Sequence, residues 1–383
     1  MREPIGYFGK EFFNCKSAKD RILGVQKMMI KTNCKFYRGD KPCLFHKEKK
    51  VVCETCSHYV KLGKRLLIIK LGSLGDVIRT TPLLRKLKDV FPEAEISWLT
   101  QYQEALSSEY VDNILEVNLE NITWLTANSF DWLINLDKAK LAISLSKLVK
   151  AKKKSGFGMD KYGKCAPVER KGQNKWLTGI DDTLGKANDK NYLEEIFQIS
   201  GFRFNREEYI IPRSNLQVKH NWDINNAGKV IGLNTGSGPL WKSRRWPQRY
   251  WIELAKKLRN AGCEVILLGG ELEDFSNRII ASESGAKYFG NFNLSEFTEL
   301  VDRCDLIVTG VTMCLHLAIG LKKKVVALNS AFNKNEFYLY ERGVILEPEI
   351  ECGCYYAEEC PRQCMNFLTV EKVNETVWLL LNK

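Results

Sequence analysis

Histidine is scarce in this 383-residue chain, with four in all, so chemistry built on imidazole acid–base pairs is not expected. No run of about 18 apolar residues exists to cross a bilayer. The opening residues, Met1-Arg-Glu-Pro-Ile-Gly6, lack the apolar stretch of a secretory signal. Both absences point to a cytoplasmic protein whose membrane contact, if any, is peripheral. What is present is a globular composition, 44% hydrophobic and 27% charged, which excludes disorder as the dominant character. Fifty-eight Lys and Arg against 46 Asp and Glu leave a net charge of +12, favouring anionic partners. Thirteen cysteines, an odd number, argue for a reducing compartment and against a disulfide framework.

The chain reads as four segments. Residues 1–64 form a basic, cysteine-rich extension with 15 Lys and Arg against 6 Asp and Glu. From Arg65, short apolar runs alternate with helix-length stretches: Leu66–Ile69, Ile96–Leu99, Ile114–Val117 and Trp132–Asn135 as strands, with a helix over Val77–Phe91. That is the signature of βα units and a parallel sheet. A Lys- and Gly-rich stretch, Lys150–Lys164, and a polar segment to about 226 interrupt the pattern. It restarts with strands at Val230–Leu233, Val265–Leu268, Leu306–Val308 and Val325–Leu328, and a helix opened by Trp246-Pro247. Apolar residues at Val370, Val373, Val377 and Leu380/Leu381 give the last helix one buried face. The segments are thus 1–64, a first α/β domain 65–226, a second 227–350, and a cysteine-rich tail with final helix, 351–383: an α/β architecture of two doubly wound, Rossmann-like domains facing across a cleft.

Four segments stand where open α/β sheets bind ligands, at the carboxyl ends of strands. Lys70-Leu-Gly-Ser-Leu-Gly-Asp76 follows the first strand and lacks both the P-loop and the dinucleotide spacing. Asp76 at a helix start is either a capping carboxylate or a general base beside a substrate hydroxyl. Asn234-Thr-Gly-Ser-Gly238, followed by Lys242, Arg244, Arg245 and the Pro247 helix, combines flexible backbone, cations and a helix start, a site for a diphosphate or else a solvated basic turn. Gly269-Gly-Glu-Leu-Glu273 brings carboxylates suited to a ribose diol, with helix capping as the plain alternative. Thr312-Met-Cys-Leu-His316 opens another helix, where His316 is a ligand contact or a satisfied core histidine.

Together, in order, these motifs over residues 65 to 383 resemble glycosyltransferase family 9, the ADP-heptose:lipopolysaccharide heptosyltransferases. The resemblance implies a GT-B fold with the acceptor on the first domain, the nucleotide sugar on the second, and the final helix packed back on the first. It implies an inverting transfer of heptose from an ADP-activated donor to a lipopolysaccharide-core or related glycolipid acceptor, without a catalytic metal. Asp76 is then the base, Arg244 the cation at the diphosphate, Thr235, Gly236, Ser237 and Lys242 its surrounding loop, and Glu273 the ribose acid. Thr312, Met313 and His316 complete the donor side; Ser73, Gly75 and Arg79 are acceptor-side candidates. One departure is Val311, where the family carries an aspartate that contacts the sugar; a different donor, substitution by Thr312 or reduced activity would follow. The rivals are a non-catalytic relative that binds a nucleotide or glycan, and a transferase with a protein acceptor.

Two cysteine sets invite a structural metal, zinc or iron, the head set zinc before an iron–sulfur centre, with free cytosolic thiols as the plain alternative: Cys34, Cys43, Cys53 and Cys56 in the extension, and Cys352, Cys354, Cys360 and Cys364 in the tail. The tail set resembles that of iron-binding family members. Ile22, Val25 and Met29 share a face of the basic segment Ser17–Ile30, which reads as an amphipathic helix, docked on the protein or lying on an anionic inner-membrane leaflet. No nucleic-acid-binding module is recognisable, and no nucleic-acid partner is expected.

Overall fold

The computed structural model describes residues 29–217, 220–225, 227–238 and 241–383. It divides the chain into two units, Met1–Gly63 and Lys64–Lys383. The amphipathic segment Ser17–Ile30 lies outside the described residues except for Met29 and Ile30, which are exposed. In the first unit a short helix, α1 (Leu44–Lys49), follows an isolated antiparallel bridge between Cys34 and Lys61.

The second unit holds two parallel sheets. Strands β1 (Arg65–Ile69), β2 (Glu95–Thr100), β3 (Asn113–Glu116), β4 (Ser129–Asn135), β5 (Lys150–Met159) and β6 (Cys165–Pro167) are ordered β3-β2-β1-β4-β5-β6, with only β6 antiparallel. Helices α2 (Leu74–Thr80), α3 (Pro82–Val90), α4 (Leu119–Ala127), α5 (Lys140–Leu148), α6 (Gln173–Leu177), α7 (Asp182–Ala187) and α8 (Tyr192–Ile199) accompany it. The second sheet, ordered β11-β10-β9-β7-β8, comprises β7 (Val230–Asn234), β8 (Glu264–Leu268), β9 (Leu306–Gly310), β10 (Lys324–Leu328) and β11 (Gly343–Leu346). Its helices are α9 (Gln248–Asn260), α10 (Asp274–Ser284), α11 (Leu294–Asp302), α12 (Met313–Gly320) and α13 (Val370–Leu381).

Strand periodicity explains how the sheets are covered. In β1, Leu66 and Ile68 face one apolar cluster while Leu67 and Ile69 face another, because alternate side chains leave opposite faces. In β10, Val325 and Ala327 join the same cluster as Leu66 and Ile68, whereas Val326 and Leu328 face the outer core of the second sheet. One core therefore runs through both halves. The segment before β7 straps them: Arg85 of α3 donates to the carbonyls of Glu208 and Tyr209, and Arg342 makes a bidentate pair with Glu208 at 2.8 and 2.9 Å.

Three expectations change. The helix expected over Val77–Phe91 is two helices, α2 and α3, divided at Thr81 because Pro82 has no amide to continue the ladder and suits a first turn. The Lys-rich stretch is no break: Lys150–Met159 is a ten-residue strand. Its lysines stay at the surface while their stems cover apolar neighbours, as Lys153 does with Nζ 3.7 Å from the Trp132 ring centroid. The second half adds a fifth strand, β11, to the four read in the sequence. The final helix packs on the second domain, not the first: Val370, Val373, Val377 and Leu380 enter the core formed by β7, β9, β10 and α9, where they find the larger apolar surface.

Candidate active site

Between the carboxyl ends of the two sheets lies a cleft of about 780 Å³, lined from the loops after β1, β2, β7, β8, β9 and β10. On its first wall Ser73 precedes α2 and Asp76 occupies the helix's first turn. Asp76 Oδ1 is 2.8 Å from Arg79 Nη2, and Oδ2 is 3.5 Å from Lys70 Nζ. Lys70 is buried; it donates to the Gly72 carbonyl at 2.6 Å and lies 3.4 Å from Asp137 Oδ2. Asp137 is fixed in turn by the amides of Leu71 and Ala139. Burial disfavours the Asp76 charge, but Arg79, Lys70 and the Ser73 amide outweigh it and hold the carboxyl well below the usual range. Arg79 lies flat on the Tyr192 ring, its guanidinium 3.7 Å from the centroid, and reaches across to Glu336 at 3.9 Å, which accepts from Tyr356 Oη. Asp76 therefore lies in the first turn of its helix, accepting from the Ser73 amide, and stands charged at the cleft.

The opposite wall begins with the loop after β7. A Cβ on Gly236 would sit 2.7 Å from the Glu273 carboxyl carbon, so only glycine lets that carboxylate lie over the loop. Glu273 Oε2 accepts from the Gly270 amide at 3.0 Å, and no protein donor among the described residues occupies Oε1. Arg244 is 9% exposed; its Nη1 donates to the Val311 carbonyl at 2.5 Å and its Nη2 to the Ser237 carbonyl at 2.7 Å. Trp241 and Phe332 flank it, each ring centroid 5.0 Å from the guanidinium carbon. No carboxylate pairs with it among the described residues, its Nε is buried without a partner, and burial lowers its pKa to about 10. It is a desolvated cation beside a cleft, lacking a counter-charge.

Thr312 and Met313 also line the cleft, where α12 begins without a side-chain cap. The Thr312 hydroxyl accepts from Asn234 Nδ2 at 3.2 Å. Val311 contributes its carbonyl to Arg244, so this position serves the site through backbone despite its apolar side chain. His316 is buried, where a Cβ on Gly75 would meet its ring at 2.9 Å. Burial, then Arg79, lower its pKa to about 3, and its Nδ1 is 3.5 Å from Tyr209 Oη. At neutral pH it is an uncharged packing and lining residue.

His316 carries a pH prediction. Its folded pKa lies below the ordinary 6.5, so the unfolded chain binds the extra proton between about pH 3 and 6.5. Its contribution to stability is complete above that window and is lost as pH falls through it. Chemical-denaturation midpoints should drop on acidification from pH 7 to 5, and more steeply than in His316→Gln; parallel slopes would contradict this.

The structure brings Ser73, Gly75, Asp76, Arg79, Gly236, Ser237, Arg244, Glu273, Thr312, Met313 and His316 to one cleft. Two residues expected there are elsewhere. Thr235 turns its hydroxyl to Asn277 Oδ1 at 2.6 Å, because its side chain faces α10. Lys242 pairs with Glu359 at 3.0 Å. It lines, with Arg245 and Pro247, a separate cavity of about 400 Å³, so the start of α9 is not the helix end that faces the cleft; that of α12 is. Sequence reasoning gave no role to Lys70, Asp137, Trp241, Glu336 or Tyr356. Lys70 stood within the first motif, Trp241 opened the basic run of the second and Tyr356 lay between the tail cysteines, but nothing in the sequence marked Asp137 or Glu336.

The tail cysteines form a compact group. Cys352 and Cys360 sulfurs are 3.3 Å apart, those of Cys354 and Cys364 3.5 Å, and all four lie within 4.8 Å of one another. Burial would raise the Cys360 thiol, but the Cys364 amide and neighbouring thiols outweigh it and bring it down to about 7. The loop is tied to the Arg244 segment: Ser243 N donates to the Glu358 carbonyl at 2.9 Å and Ser243 Oγ to that of Ala357 at 2.6 Å. The extension's Cys34, Cys43, Cys53 and Cys56 line a common cavity in the first unit. Among the described residues no helix is long and apolar enough to cross a membrane.

A family model described as glycosyltransferase family 9 (heptosyltransferase) matches residues 121–365. The chain is 28% identical over 301 residues, 72% of its length and 81% of the other's, to the lipopolysaccharide core heptosyltransferase OpsX of Haemophilus influenzae. Its fold is similar to that of the ADP-heptose lps heptosyltransferase II of E. coli, with a TM-score of 0.62 at 17% identity over 83% of this chain and 98% of that one. It is also similar to the iron-containing dodecameric glycosyltransferase TibC of enterotoxigenic E. coli, with a TM-score of 0.51 at 15% identity over 87% and 84%.

Proposed function

Because the chain belongs to glycosyltransferase family 9, the heptosyltransferase family, we propose that it transfers heptose from ADP-heptose to a lipopolysaccharide-core acceptor, with inversion at the anomeric carbon. The observation that carries the reading is the pair of opposed charges on facing walls of one cleft: Asp76, ionised, on the first, and Arg244, without a counter-charge, on the second. The Asp76 carboxylate takes the acceptor hydroxyl's proton. The freed oxygen attacks the anomeric carbon from the first-domain side as the bond to ADP breaks, and ADP departs with that electron pair. Arg244, the amides of the 236–238 loop and the uncapped start of α12 receive the growing diphosphate charge. Glu273 Oε1 takes the ribose hydroxyls. Thr312, held by Asn234, offers the sugar the hydroxyl that Val311 does not.

The reading is tested by incubating the purified chain with ADP-heptose and heptose-deficient lipopolysaccharide core, following ADP release and assigning the product's anomeric configuration by NMR. ADP release without acceptor glycosylation, or retention of configuration, would overturn it.

The tail cysteines fit a structural metal. Tetrahedral bonds of about 2.3 Å put thiolate sulfurs roughly 3.8 Å apart, the spacing this group nearly has. Four sulfur ligands would leave an ion there no open position for the transfer, and Cys352, Cys354, Cys360 and Cys364 would hold it so as to brace the loop that anchors the Arg244 segment. Cys352→Ser with Cys360→Ser should remove about one equivalent of metal and raise the donor KM several-fold. Unchanged metal content would count against the site.

A further inference from the structure

The cysteines of the first unit are arranged on a different plan from those of the tail. Cys34, Cys43, Cys53 and Cys56 converge on one cavity of about 350 Å³, its remaining wall largely apolar and aromatic, including Phe36, Phe45 and Val52. Phe45 stacks on His58 with centroids 4.1 Å apart and meets Phe36 edge-on at 4.9 Å, which gives the wall a fixed shape. All four thiols are free of disulfides. Among the described residues, only the tail set gathers three or more ligand side chains within a single ion's reach. The head thiols line a cavity instead.

The two histidines on the same wall each engage one ring nitrogen and keep the other. His46 Nδ1 lies 2.9 Å from the Val51 carbonyl, and His58 Nε2 is 3.2 Å from Lys49 Nζ. The four thiolates are the soft ligands that take zinc or iron–sulfur clusters. Zinc would draw the sulfurs together as in the tail, whereas a cluster interposes its own core of iron and sulfide and requires a cavity between its ligands. The local charge agrees. Residues 29–63 carry eight Lys and Arg against three Asp and Glu, with Lys41 on the cavity wall, a surplus suited to the net negative charge of a thiolate-ligated cluster.

We propose that the first unit holds an iron–sulfur cluster ligated by Cys34, Cys43, Cys53 and Cys56. The chain then has two metal centres of different kinds, a single ion in the tail and a sulfide-containing cluster in the head. Neither the transfer reaction nor its substrates enter this argument, so it can fail while the proposed activity stands.

The test uses the full-length chain, purified anaerobically and reconstituted with ferrous iron, inorganic sulfide and a thiol. Acid-labile sulfide should appear at about two or four per chain, matched by iron in excess of the tail ion, with a visible absorption band that bleaches on reduction. Cys53→Ser with Cys56→Ser should abolish the sulfide and leave the tail metal; Cys352→Ser with Cys360→Ser should leave the sulfide. No sulfide in the reconstituted wild type overturns the proposal, as does sulfide unchanged in the head variant or a single zinc there without sulfide. Should the head variant not fold, the wild type and the tail variant decide by themselves, since loss of all sulfide with the tail cysteines would place the cluster in the tail.

Discussion

Asp76→Asn is expected to lower kcat by roughly 100- to 10,000-fold while the donor KM changes little. The substitution keeps the side chain's shape and removes only its ability to accept a proton. Lys70 retains Asp137, and Arg79 retains the Tyr192 ring and Glu336, so neither cation loses all its support and the local fold should survive. Steady-state ADP release under saturating donor, with circular dichroism to verify folding, reads the effect; a variant within about fivefold of wild type would remove Asp76 from the chemistry. The same neighbours set the pH behaviour. Because they hold the carboxyl below the ordinary range, it is deprotonated throughout the working pH, and loss of activity near pH 6 must come from another group.

Arg244→Gln should cost about 100- to 1,000-fold in kcat, the scale seen when a preorganised donor to a departing negative charge is removed. Glutamine can still satisfy one of the Ser237 and Val311 carbonyls, so the loop is not left wholly unsupported. What disappears is the cation. Arg244→Lys keeps the charge while giving up the planar fork, and should recover a substantial part of the loss. Equal damage in both variants would mean that Arg244 acts only as a brace for the loop.

The architecture was legible wherever strands were short, apolar and bounded by glycine, because burial on both faces leaves a continuous run that charge cannot interrupt. It was not legible at β5, whose lysines reach water from a covered strand. The cleft residues could be read where a motif and a strand end coincided, as at Asp76, Gly236 and Glu273. Thr235 and Lys242 misled for a common reason: adjacent residues in a loop point in different directions, and spacing does not say which one faces the ligand. Glu336 comes from a segment without a motif and Tyr356 from between the tail cysteines, and both enter the site only through tertiary packing. The final helix showed its buried face in the sequence, but not the partner for that face.

The apolar core that passes beneath the cleft, with the Glu208 strap fastened from both sides, has an evolutionary consequence. The two halves cannot be exchanged with those of a distant relative as separate modules, because a cut between them leaves each with half of a shared interior. A new acceptor or donor preference is more readily acquired by changing the loops at the strand ends than by recombining domains.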